Sequence, residues 1–364
     1  MFELIRRTKG RTPLADVDAR RICLIKPSAL GDVVQALPVL SALRGRFPEA
    51  HIAWVVNRSY AGLLADHPHL DEIIAFDRGA GGMWSRAARR GFAELNASLR
   101  ERRFDLVVDL QGLLRSGLMA RATGAARRVG MSDAREGARF CYTDVVPMPA
   151  TPTSAVERYW LVAAALGAGD GGKQFVIGLG APDHDWAARA VGRSSGLRVA
   201  IHPGARWATK RWPAAHFAEL ARRIGREFGA TFILVGGPEE TATAAELDSS
   251  LASRTINLVG KTSLKQLAAV LGDVHLVITN DSGPMHLAAA LGTPVVGIFT
   301  CTSPDRARPF GPGHLLVSPN IWCAASYLKC CSRMDCMAEL TADRVWPAAR
   351  AHIAALRGAL PLPA

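Results

Sequence analysis

The sequence predicts an α/β protein made of two doubly wound halves, each a parallel sheet with helices on both faces. Two observations predict it. Short apolar runs alternate with helix-length amphipathic stretches, the signature of parallel sheets crossed by helices. The alternating series also starts twice, once near residue 21 and again near residue 197.

In the first series the buried run Ile22-Cys23-Leu24-Ile25 marks a strand over 21–26. Pro27-Ser28-Ala29-Leu30-Gly31 is a loop, and Asp32 is expected to open a helix reaching Arg46, stopped by Phe47-Pro48. Further strands are expected over 51–56, 73–76 and 106–110, with a helix over 92–102 among them. The pattern weakens over 147–152. A helix over 156–166 follows, and the glycine-rich stretch 167–172 reads as the approach to a boundary. Two domains are expected, 1–178 and 179–364, a division the length of 364 residues accommodates.

The second series predicts strands over 197–201, 231–235 and 256–258 and helices over 214–228 and 263–271. Its most informative stretch is Thr279-Asn280-Asp281-Ser282-Gly283-Pro284-Met285-His286, which reads as the end of a strand and the start of a helix. Asp281 or Ser282 suits the cap, and Pro284 suits the first turn, where a missing N–H costs nothing. Gly292 and Pro294 end the helix before a strand over 295–299, and a terminal helix is expected over 341–356. Doubly wound sheets place ligands at the carboxyl ends of their strands, so the cleft between facing domains is the expected site.

Composition narrows the function. An apolar content of 49% and a charged content of 21% fit a globular chain with no membrane-spanning run. Met1-Phe2-Glu3-Leu4-Ile5-Arg6-Arg7 lacks the apolar stretch of a secretory signal, so a cytoplasmic location is expected. A net charge of +12 suits an anionic substrate, an anionic membrane face or nucleic acid. No zinc finger, RNP motif or basic tail accompanies it, which sets nucleic acid aside. Cys23, Cys141 and Cys301 are expected to be buried. Cys323, Cys330, Cys331 and Cys336 do not have zinc-ribbon spacing, and a reduced apolar cluster is the expectation for them.

Two loops carry the candidate chemistry. In Lys26-Pro27-Ser28-Ala29-Leu30-Gly31-Asp32, Gly31 permits a tight turn and Asp32 falls at the ligand end of the sheet, where a carboxylate can serve as general base. The same position also suits a capping aspartate. In the loop from His202 to Pro213, Lys210 and Arg211 can hold a diphosphate, one as a point charge and one as a fork. Trp212 can equally be a packed helix start. A helix beginning at Ser282 to Met285 offers free N–H groups to the same phosphates. Asp16-Val17-Asp18 and Asp183-His184-Asp185 are formally D-x-D but too short to argue for a metal, and none is expected. His275 and His314 read as structural.

These motifs together resemble the heptosyltransferases of lipopolysaccharide inner-core assembly, glycosyltransferase family 9. The resemblance rests on residues 25–34, on Asp109-Leu110-Gln111-Gly112-Leu113-Leu114-Arg115-Ser116, on His202-Pro203-Gly204 through Lys210-Arg211-Trp212-Pro213, and on residues 280–288. It covers nearly the whole chain, apart from an apparent extension over 1–20. It implies a GT-B fold with facing Rossmann-like domains, the first holding the acceptor and the second ADP-heptose. It implies inverting transfer without a metal or other cofactor, to a Kdo or heptose hydroxyl of the lipopolysaccharide core, at the cytoplasmic face of the inner membrane. Asp32 maps onto the family's catalytic base. Lys210 maps onto its phosphate-binding lysine, and Asp281, Ser282 and Gly283 onto its Asp-Ser/Thr-Gly turn. Thr209, Arg211, Pro284 and His286 complete the expected donor set, with Glu239 or Glu240 near the ribose and Thr262 near the adenine. Ser28, Gly31, Gln111 and Arg115 are the expected acceptor set. The alternatives are a GT-B enzyme for another nucleotide sugar or envelope-glycan acceptor, a sugar-nucleotide binding protein without turnover, and a cysteine-based metal or redox protein.

Overall fold

The computed structural model describes residues 11–77, 86–192, 196–251 and 255–359, so the segment Met1 to Arg7 lies outside it. The chain divides into two compact units, Met1–Gly178 and Leu179–Ala364.

The first unit runs β1 (Arg21–Ile25), α1 (Leu30–Arg46), β2 (His51–Asn57), α2 (Arg58–Leu64), β3 (Glu72–Phe76), α3 (Arg86–Glu101), β4 (Leu106–Asp109), α4 (Leu114–Ala122), β5 (Arg127–Met131), β6 (Asp144–Val146) and α5 (Ala155–Ala165). The second runs α6 (Ala181–Val191), β7 (Arg198–His202), α7 (Ala214–Phe228), β8 (Thr231–Leu234), α8 (Thr241–Leu251), β9 (Thr255–Asn257), α9 (Leu264–Asp273), β10 (Leu276–Asn280), α10 (Gly283–Ala290), β11 (Val295–Ile298), α11 (Pro304–Ala307), β12 (Leu315–Val317), α12 (Asp335–Glu339) and α13 (Ala342–Ala359).

Both sheets have six strands, all parallel, in the orders β3-β2-β1-β4-β5-β6 and β12-β11-β10-β7-β8-β9. Counted within its own unit, each is the order 3-2-1-4-5-6, so the two halves share one topology without an aligned sequence repeat. Strand order reverses between β1 and β4 in the first sheet and between β7 and β10 in the second, the crevices where such sheets bind ligands. The central strands are buried on both faces: Ile22 to Ile25 and Leu276 to Ile278 are at most 1% exposed. Trp212 anchors the second core. It is 1% exposed, packs edge-on against Phe217, and donates its indole N–H to the Leu340 carbonyl at 2.6 Å.

The strands and helices expected from sequence are present, and several more join them. β5 opens on Arg127-Arg128, and Arg127 is neutralised by Asp144 of β6 at 3.0 Å, so this edge pair carries charge where an apolar run was sought. The terminal helix extends to Ala359. The cysteine expectation needs correcting. Cys23, Cys141 and Cys301 are buried, but of the later four only Cys336 is; Cys330 and Cys331 are exposed. Cys330 and Cys331 lie on the exposed coil preceding α12, outside any apolar cluster, whereas Cys336 packs into the core of the second unit. Among the described residues no group of three or more His, Cys, Asp or Glu is placed to hold a metal ion. No helix among the described residues is long and apolar enough to cross a membrane.

Candidate active site

At the switch point of the first sheet, the loops after β1 and β4 lie side by side. α1 begins at Leu30, so Asp32 occupies the third helical position rather than opening the helix. From there its Oδ2 reaches back to accept the Ala29 N–H at 3.0 Å. This is half of a capping box, and it satisfies a backbone donor the helix leaves open. Its Oδ1 accepts the Tyr159 hydroxyl at 3.1 Å and lies 3.7 Å from Lys26 Nζ. The side chain is still 40% exposed. The carboxylate is therefore gripped from one side and open on the other. Lys26 is 2% exposed, and burial lowers its pKa while Asp32 opposes that shift. Its ammonium also sits 5.0 Å from the centre of the Tyr159 ring. Burial, and then the charge of Asp32, raise the Tyr159 phenol well above its usual range, so it stays a donor.

The β4 loop is organised by Asp109, which is fully buried. It accepts the N–H groups of Gln111 and Gly112 at 2.8 and 3.2 Å and the Tyr142 hydroxyl at 2.7 Å. Gly112 has a φ of 66°, which a side chain would strain. The resulting turn directs Gln111 Oε1 to the Ser28 N–H at 3.4 Å and joins the two loops. Ser28 and Gly31 are buried within the loop and helix start. Arg115, half-buried on the first turn of α4, has no ion-pair partner among the described residues.

At the second switch point the more exposed member of the ion pair is the cation. Lys210 Nζ is 2.6 Å from Asp281 Oδ2, which also accepts the Thr302 hydroxyl at 2.7 Å. The loop after β7 and the helix-start motif thus meet, as adjacent strands β7 and β10 require. Asn280 joins them through the backbone. Its Nδ2 donates to the carbonyls of Pro203 and Gly204 at 2.6 and 3.3 Å, and its Oδ1 accepts the Trp212 N–H at 3.1 Å. Ser282 is the N-cap of α10, yet its hydroxyl does not cap the helix. It lies 3.1 Å from His202 Nδ1 and 3.1 Å from Thr279 Oγ1. Burial lowers the His202 pKa to about 4, which keeps the ring neutral. With that hydroxyl turned inward, Ser282 does not cap the first-turn N–H groups of α10. Gly283, Pro284 and His286 lie on this first turn, the last two buried.

The remaining donor candidates are distributed unevenly. Arg211 is exposed, and its Nε donates to the Ala205 carbonyl at 2.7 Å. Thr209 is 2% exposed and commits its hydroxyl to the Leu328 carbonyl at 2.6 Å. Glu239 is exposed beyond β8, whereas Glu240 is buried and accepts the Gly237 N–H at 2.7 Å. Burial and then Glu239 raise the Glu240 pKa. Thr262, half-buried, directly precedes Ser263, the cap of α9.

Sequence reasoning missed Lys26, Tyr159, His202 and Thr302 as supports, and also Lys329. Lys210 and Lys329 both sit over the Trp207 ring, at 5.0 and 5.5 Å. Lys26 and His202 were legible as polar residues ending apolar strands; Tyr159 and Lys329 reach the site only through the fold. The other candidates are structural. Asp183 caps the Gly180 N–H at 3.0 Å, His275 Nδ1 accepts the Arg198 N–H at 3.0 Å, and His314 Nε2 lies 3.0 Å from the Phe310 carbonyl.

Two doubly wound parallel sheets of one shared topology form the GT-B architecture, and each presents a charged side chain at its switch point. The family model for glycosyltransferase family 9 (heptosyltransferase) matches residues 92–337, and the chain belongs to that family. It is 31% identical over 319 residues to lipopolysaccharide heptosyltransferase 1 of Pseudomonas aeruginosa, covering 86% of this chain and 87% of that protein. It is 26% identical to the lipopolysaccharide core heptosyltransferase OpsX of Haemophilus influenzae, covering 82% and 84% of the two chains. Its fold matches that of the E. coli heptosyltransferase WaaC with ADP at a TM-score of 0.73 and 24% identity, over 91% and 99% of the chains.

Proposed function

We propose that this protein transfers heptose from ADP-heptose to a Kdo or heptose hydroxyl of the lipopolysaccharide core, with inversion and without a metal ion, at the cytoplasmic face of the inner membrane. The first unit holds the acceptor and the second holds the donor. The observation that carries the reading is Asp32, a carboxylate anchored by Ala29 N–H and Tyr159 O–H yet 40% exposed. That combination suits a general base, which must be oriented by its neighbours and reachable by a substrate hydroxyl.

In this reading Asp32 accepts the proton of the acceptor hydroxyl as its oxygen attacks the anomeric carbon. The bond from that carbon to the ADP oxygen breaks, and the negative charge gathers on the diphosphate. Lys210 and the N-terminal start of α10 receive that charge, the task a divalent cation performs elsewhere. Arg211 and His286 flank the phosphates, Glu239 faces the ribose and Thr262 the adenine. Thr209, whose hydroxyl is engaged by Leu328, contributes by holding the loop rather than by touching the ligand. Gln111, Ser28 and Gly31 shape the acceptor pocket, and Arg115 meets its carboxylates or phosphates.

The test is ADP release from ADP-heptose plus a Kdo–lipid A acceptor, in EDTA. Acceptor-dependent release is expected to survive chelation and to fall by about 10²–10⁴-fold in Asp32→Asn, with ADP affinity unchanged. Release that requires a metal, or that persists in the variant, would overturn the reading.

A further inference from the structure

We propose that the face of the first unit formed by α4 and the turn Ala138–Cys141 docks on an anionic lipid bilayer. On α4, Leu114, Leu118 and Arg121 fall at i, i+4 and i+7 and share one stripe. Leu114 is 42% and Leu118 39% exposed. Gly117, beside that stripe, lies against Ala138, which a Cβ at Gly117 would approach to 3.2 Å. The contact sets the turn Ala138–Cys141 alongside the stripe. That turn presents Phe140, 89% exposed, the most exposed large apolar side chain among the described residues. Two hydrogen bonds fix this arrangement. The Arg135 N–H donates to the Gly112 carbonyl at 2.8 Å, and Glu136 Oε2 accepts the Leu114 N–H at 3.2 Å. Single exposed apolar residues are ordinary; three on adjoining elements mark a contact surface.

Charge identifies the occupant. Residues 114–141 hold six arginines, at 115, 121, 127, 128, 135 and 139, against two carboxylates, Asp133 and Glu136. Asp133 is paired with Arg158, and Arg127 with Asp144. Arg121, Arg135 and Arg139 are exposed and have no carboxylate partner among the described residues, nor does Arg11. These cations are gathered rather than dispersed: Arg11 and Arg121 both stand close enough to Arg128 to disfavour its charge, alongside burial. Exposed leucine and phenylalanine tips rimmed by unpaired guanidinium groups suit a bilayer interface, where the tips enter the acyl boundary and the cations meet lipid phosphates. No separate amphipathic anchor helix is needed, because a turn and a helix stripe supply the face.

Only the purpose of this face rests on the function proposed above: a core acceptor built on lipid A resides in such a bilayer. Binding itself is tested without catalysis. Full-length protein is sedimented with vesicles of phosphatidylethanolamine and phosphatidylglycerol, and with vesicles of phosphatidylcholine alone. Wild type is expected to bind the anionic vesicles and not the neutral ones. Leu118→Ser with Phe140→Ser is expected to lose about tenfold in partition. Arg121→Ala with Arg139→Ala is expected to lose about fivefold per arginine and to flatten the salt dependence. Both double variants keep the wild-type melting temperature and wild-type turnover on a water-soluble, delipidated acceptor. Absence of wild-type binding to anionic vesicles overturns the proposal, as do variants that sediment like wild type. A protein that ignores vesicles but self-associates through Phe140 also overturns it, and assigns the face to contact between copies. Failure of ADP release leaves the vesicle result standing, so the two proposals fail separately.

Discussion

The two units are the same fold used with opposite sign. In the first, the residue presented at the switch point is an anion, Asp32, and its support is a buried lysine and a phenol. In the second, it is a cation, Lys210, and its support is a buried aspartate backed by a threonine hydroxyl. Each charged group is held by a partner of opposite charge, and each remains more exposed than that partner. The topology supplies the place, and the identity of a few loop residues decides which charge is presented there.

The comparison can be broken at its ends or sharpened at its supports. Asp32→Asn should act on the rate alone, whereas Lys210→Ala should act on the donor. We expect a loss of about 10²–10³-fold in kcat/KM for Lys210→Ala, with weakened ADP binding by calorimetry. If both variants moved the same kinetic parameter and left ADP affinity intact, the division of labour between the units would be wrong.

The next effect concerns stability. Asn280→Ala removes the bonds from Asn280 to the Pro203 and Gly204 carbonyls and to the Trp212 N–H. We expect about 2–4 kcal/mol of destabilisation by denaturant melts, because buried backbone groups are left without partners.

Acid should probe both units. Burial lowers His67 in the first and His202 in the second to about 4. Both remain neutral when folded and take a proton when unfolded. Their contribution to stability is complete above pH about 6.5 and is lost as the pH falls toward 4, by roughly 2–3 kcal/mol each. His202→Asn should flatten part of that decline in thermal melts across this window; an unchanged slope would show that burial of the ring is not its cause.

The smallest expected effect is that of Tyr159→Phe, which removes one hydrogen bond to Asp32 and little volume. We expect a fall in kcat of about threefold to tenfold and movement of the acid limb of the kcat/KM profile to higher pH, because the charged carboxylate loses a donor. A fall in kcat without that movement would assign Tyr159 a purely structural role.

The contrast between presented groups and their supports also explains what was legible in the sequence. Asp32, Lys210 and Asp281 lie in short motifs flanked by glycine or proline after apolar runs, where local chemistry declares the turn. Tyr159 is separated from Asp32 by 127 residues and Thr302 from Asp281 by 21, and no spacing rule connects such pairs. Asn280 stood in view within a motif, yet only the register of β7 beside β10 reveals that it joins two loops. The strands that escaped notice failed for a similar reason. β5 opens on two partly buried arginines, one paired with Asp144 of the next strand and the other donating to backbone carbonyls, so its pattern is completed by tertiary contact. The helix beginning at Leu30 rather than Asp32 shows a further limit: an aspartate near a helix start can cap from its third position as well as from outside it.

In the proposed reaction the pairing of Lys210 with Asp281 has a consequence for turnover. An anion arriving at this lysine does not meet a bare ammonium but one already engaged by a resident carboxylate. Its arrival exchanges one counter-ion for another, and the net gain is only the difference between the two pairings. An exchange of that kind runs nearly as easily in reverse. When the incoming and outgoing ligands share a diphosphate, it tempers the hold on both and favours passage through the site over retention in it.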